Sequence, residues 1–221
     1  MNDRISPPTF SPARGIAHVT MVTLGLAGAA WAALAVWHLR LAAAGMPASG
    51  PPDQGDGVHR PLNALENGYH MVGNVRDLAT VICAITFIAW LWRVRDNALA
   101  LSGVRPAYAW PWIYLGWVVP IVNLWVPRGI IAGVHRAGDP GRPLPRILNW
   151  WWACWLLGVY GGVGLVYADS TDHVIERAYT DVGWLLAADA AVIAAAVTAA
   201  FLVKTITDGQ YERAGSATTE D

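Results

Sequence analysis

Apolar residues run from Ile16 to Trp37 without one Asp, Glu, Lys or Arg, and similar runs recur near 78–92, 147–168 and 183–203. A membrane helix needs about 20 such residues. Lipid offers a backbone no hydrogen-bond partner, so these runs must satisfy themselves as helices. The expected fold is therefore an all-α integral membrane protein. Spans are predicted at about 16–38, 76–93, 147–168 and 183–203, within a helical membrane domain covering 15–205. Residues 1–14 read as a disordered arm and 206–221 as a disordered tail. Glycines and prolines make 45–61 a linker. The small residues Ala42–Ala44 raise a signal peptide as rival for the first run. That run is longer than the usual apolar core of about 7–15 residues, which favours an uncleaved helix.

Composition agrees. Charged residues are 14% and hydrophobic ones 55%, against about 25% charged in soluble domains. Only Lys204 among fifteen basic residues is lysine, a bias that suggests a GC-rich bacterial genome. Cys83 and Cys154 lie within apolar runs and read as small buried hydrophobes. The six histidines are scattered, and none pairs at helical spacing with a metal-ligand set. No phosphate loop, nucleophile elbow or dinucleotide glycine pattern is present. No cofactor, metal or nucleic-acid partner is expected, and no catalytic residue is assigned.

One segment, 112–127, breaks the pattern. It contains Trp117, Pro120, Asn123, Trp125 and Pro127. Proline removes an N–H and frees the carbonyl four residues earlier. As a helix, the segment would align Gly116, Pro120, Asn123 and Pro127 on one face. Basic residues indicate whether it crosses. If it does not, the N-terminus, residues 93–146 and the tail share one side and hold most of the Lys and Arg. Positive charge concentrates in the cytoplasm, so four spans with both termini cytoplasmic are expected, with this segment re-entrant or interfacial. A Pro-kinked fifth span is the alternative.

Three stretches carry a family resemblance: Arg93-Val-Arg95-Asp-Asn97-Ala98-Leu-Ala-Leu101, Trp117-x-x-Pro120-x-x-Asn123-Leu-x-x-Pro127, and Trp150-Trp151. In order and spacing they resemble an actinobacterial membrane family catalogued as domain of unknown function 4328, over roughly residues 70–205. The resemblance implies a multi-span bacterial plasma-membrane protein without assigned activity. Its pattern positions are Arg93, Arg95, Asn97, Trp117, Pro120, Asn123 and Pro127.

Three sets of residues are candidates for function. Asn123 can bind a ligand or satisfy a local backbone group. Arg93, Arg95, Arg128 and Arg136 can hold an anionic lipid headgroup or simply report topology. Asp189 is an intramembrane acid, costing about 2.5 kcal/mol or more if charged and unpaired. Tyr160, Tyr167, Arg40 and Arg76 are its expected partners, in either a proton site or an interhelical clasp.

These features favour a membrane-embedded interaction or scaffold protein that contacts membrane lipids, a protein partner or another copy of itself. A small transporter or proton-linked channel using Asp189 and the broken helix is the alternative. An intramembrane enzyme ranks third, because it wants several titratable groups at one depth.

Overall fold

The computed structural model describes residues 9–104, 107–119, 121–138, 141, 143–161 and 171–217. These residues are helical, with no named strand. In chain order the helices are α1 (Arg14–Ala44), α2 (Ala64–Ser102), α3 (Trp112–Val118), α4 (Val126–Gly138), α5 (Arg146–Gly161), α6 (Thr171–Thr180) and α7 (Val182–Ala217). A 3-10 turn, Val122–Leu124, lies between α3 and α4. Among the described residues α1, α2 and α7 are long and apolar enough to cross a membrane. This marks an all-α, membrane-associated protein. α2 has 39 residues and so runs about 58 Å, well beyond the hydrocarbon thickness of about 30 Å.

Local sequence sets the helix ends. The Asn63 side chain accepts the N–H groups of Leu65 and Glu66, while Glu66 Oε2 accepts that of Asn63. This reciprocal box begins α2. Gly45 (φ +71) and Gly103 (φ +66) end α1 and α2 in left-handed geometry, each returning its N–H to the residue four earlier. In the sequence, Leu62, Leu65, Tyr69, Val72 and Val75 recur at helical spacing and read as an amphipathic lead-in to the second span; lead-in and span form one uninterrupted helix beginning at Ala64.

The chain divides into two compact units, and α1, α2 and α7 contribute residues to both. The first comprises Met1–Leu24, Ile82–Trp150 and Thr198–Asp221. Trp90, Leu91, Val94, Ile113, Ile131 and Leu202 are buried there. The expected disordered ends are structured where described. α7 continues to Ala217, and Ile206, Thr207 and Gln210 are buried. Gln210 donates to Val94 O at 2.7 Å, and Trp90 Nε1 to Thr207 Oγ1 at 3.1 Å. The Asn97 amide pairs with both backbone groups of Ser11, at 2.9 and 2.8 Å. The Tyr211 hydroxyl accepts the Ala13 N–H. The polar composition of both ends suggested solvation; these polar groups instead tie the ends to α2.

The second unit comprises Gly25–Val81 and Trp151–Val197. Its core gathers Leu34, Leu41, Tyr69, Ile175, Ala178 and Leu185. Residues 171–180, between two predicted spans, form α6 and bury Ile175 and Ala178. Gly158 lets α5 approach α7: a Cβ there would lie 2.5 Å from Val192 Cγ2. Gly162, which with Gly158 makes a GxxxG spacing in the sequence, lies outside the described residues. So do residues 162–168 of the predicted 147–168 span.

Candidate functional site

The acid expected to lie within the membrane, Asp189, belongs to the second unit. α7 places Asp189 against His38 of α1, with Nδ1 2.8 Å from Oδ2. His38 Nε2 is 3.2 Å from the Tyr69 hydroxyl on α2. All three side chains are buried. Buried polar groups need partners, and here each supplies the next. With Nδ1–H donating to Oδ2 and a second proton on Nε2, the pair carries no net charge and Nε2–H donates to Tyr69. With only the Nδ1–H proton present and Nε2 bare, one negative charge remains in apolar surroundings, and Tyr69 donates to Nε2 instead.

These are not the expected partners. Tyr167 lies outside the described residues. Arg40 stacks on Trp37 at 4.2 Å, and Arg76 stacks on Trp31 at 4.7 Å and pairs with Asp77 at 3.0 Å. Tyr160 is exposed. His38 stands at the polar edge of an apolar run, where it read as a span terminus. Tyr69 read as one position of an amphipathic lead-in. No periodicity links either to residue 189.

A second network closes the polar loop of this unit. Arg60 grips Glu66 with two bonds, at 2.8 and 2.7 Å, and donates through Nε to Gly50 O. Tyr179 donates to Glu66 Oε1 at 3.1 Å. The Glu66 hydrogen bond raises Arg60 further above its ordinary value. Burial pushes the Tyr179 phenol up. The expected linker 45–61 is therefore anchored at Arg60.

The broken segment and the arginines belong to the first unit. Segment 112–127 is no continuous helix: α3 ends at Val118 and α4 begins at Val126. A Cβ on Gly116 would lie 2.9 Å from Val126 Cγ1, so the segment folds back upon itself. Pro120 lies outside the described residues. Pro127 occupies the first turn of α4, where a missing N–H breaks no helical bond. The single helical face expected for Gly116, Asn123 and Pro127 therefore does not form. Asn123 Nδ2 donates to Trp117 O at 3.2 Å, while its buried Oδ1 has no hydrogen-bond partner. Trp117 stands edge-on to Phe87 at 5.7 Å.

The four arginines are not gathered into one patch. Positions 93 and 95 sit about 200° apart around a helix. Arg93 lines one cavity with Trp92, Asp96 and Tyr114, whereas Arg95 and Arg136 line another. Arg128 binds Asn149 Oδ1 at 2.6 and 3.2 Å. Asn97, absent from the candidate ligand set, serves as the anchor of Ser11 described above.

No curated protein and no solved structure matches this chain. The family match covers residues 64–208, from the first turn of α2 to Asp208 in α7. It includes Asp189, Tyr69, the broken segment and all four arginines, while His38 falls before it. The chain belongs to the family described as Domain of unknown function (DUF4328).

Proposed function

We propose that this membrane protein acts by binding, as an embedded interaction or scaffold protein in contact with anionic lipid. The carrying observation is the closure of Asp189 on His38 and Tyr69, which fastens three helices through their most costly polar groups. An acid committed this way suits a clasp better than a conduit. The fold-back of α3 onto the start of α4 supports a segment that does not cross as a straight helix. With the basic residues near α2's end and in α4, it supports four spans and cytoplasmic termini in a bacterial plasma membrane. A protein partner or a second copy of the chain completes this reading.

The alternative, a proton-linked transporter, draws on the same triad, because a second proton on the His38–Asp189 pair, at Nε2, controls the direction of the Tyr69 bond. Proteoliposomes holding a pH-sensitive dye separate the two. The scaffold reading expects proton leak equal to that of protein-free vesicles. Protein-dependent flux abolished by Asp189→Asn would replace it with transport.

A further inference from the structure

We infer that the cavity lined by Arg95 and Arg136 is a binding site for a phosphate-bearing anion. The inference rests on the anionic-lipid contact proposed above and gives it one location. The cavity measures about 350 Å³, and apart from its two arginines and Ser102 its walls are largely apolar. Arg95 is the key group. Its side chain is only 13% exposed. Nη2 donates to Tyr108 O at 3.2 Å, and Nη1 stands 3.6 Å from Asp96 Oδ1. Its buried Nε has no hydrogen-bond partner. A guanidinium cannot shed its proton, and an unmet buried donor on a charged group is costly. An anion in the cavity would balance the charge of this sheltered guanidinium, and a turn of the side chain toward it would bring the unmet donor to phosphate oxygens.

The surroundings are built for such a ligand. Exposed Arg136 brings a second guanidinium from α4. Arg213 donates to the carbonyl of Ala137, another lining residue, at 2.8 Å. Gly129 makes room for Tyr108, since a Cβ there would collide with the Tyr108 hydroxyl. Gly133 faces open space on the cavity wall. Cationic groups on apolar walls fit an anion carried on an apolar body, such as a phospholipid headgroup. A free phosphate ester shares the same anionic chemistry.

Native mass spectrometry from nanodiscs of phosphatidylcholine with phosphatidylglycerol tests the site. Retained phosphatidylglycerol should fall at least fivefold in Arg136→Gln and in Gly133→Leu, which fills the cavity without changing charge, and persist in Arg128→Gln. A second arm adds inorganic phosphate to protein in pure phosphatidylcholine nanodiscs. Thermal stabilisation there that Gly133→Leu abolishes, without phosphatidylglycerol retention, supports the site with a soluble ligand. Retention that survives Gly133→Leu and Arg136→Gln but fails in Arg93→Gln or Arg128→Gln overturns the cavity while leaving lipid contact intact. No retention and no phosphate effect overturns both.

Discussion

His38 Nδ1 stands 2.8 Å from Asp189 Oδ2 although 151 residues separate them in sequence. The contact joins the first long helix to the last, and its two members are not equivalent. Removing the histidine strands an acid in apolar surroundings. Removing the acid leaves an imidazole that still holds Tyr69.

His38→Leu should therefore cost about 3–5 kcal/mol, the range for a buried charge deprived of its partner. Asp189→Leu should cost about 1–2 kcal/mol, closer to a lost hydrogen bond. The double variant should be more stable than His38→Leu alone, because it removes the stranded group. Thermal unfolding in detergent closes the double-mutant cycle. Equal, additive losses would contradict a coupled pair.

Glu66 receives Arg60, Tyr179 and the Asn63 N–H. Glu66→Ala removes all four bonds, two of them from Arg60, and leaves the largely buried Arg60 guanidinium without its carboxylate, so a loss of about 3 kcal/mol is expected. Limited proteolysis should then cut within 45–61, with the parent expected to resist. Unaltered resistance would show that the loop is held by other means.

Two neighbouring glycines should respond differently to alanine. At Gly158 the new Cβ meets Val192, whose branched side chain is stiff in a helix, and about 1–3 kcal/mol of overpacking strain is expected. At Gly161 the Cβ would lie 3.5 Å from Ala188 Cβ, an ordinary contact, so Gly161→Ala should be neutral or mildly stabilising. Comparing the two melting temperatures checks the α5–α7 contact directly.

Asn97→Ala leaves Ser11 without its amide partner. The arm should become protease-sensitive near residues 9–13, with a stability loss of about 1–2 kcal/mol. An arm still protected in this variant would shift the anchoring role to Tyr211 and Ala13.

The apolar runs made the long helices legible, because a bilayer leaves an apolar backbone few options. Pro120, Asn123 and Pro127 announced an interruption, and α3 indeed ends at Val118 while α4 begins only at Val126. What sequence could not provide was which helix faces which. Asp189 was conspicuous, but its partner lay at the edge of a distant run, and no local period points across 151 residues. The arginines misled through proximity in sequence: Arg93 and Arg95 are neighbours on paper and diverge around α2. The tail misled through polarity. Ile206, Gln210 and Tyr211 keep helical spacing beyond Lys204, a signal that its charged neighbours obscured.

The His38–Asp189 bond also bears on how the protein is made. Synthesis runs from α1 to α7, so in the proposed multi-span arrangement the helix bearing the acid reaches the bilayer last, when its histidine is already installed. The acid can be neutralised on arrival, and no interval requires it to wait unpaired in lipid. Transposing the two residues, His38→Asp with Asp189→His, would keep the pair but reverse that order. The acid would then enter first and wait through the synthesis of 151 residues for its partner, so the cost would appear as lower insertion yield even if the finished bundle were equally stable.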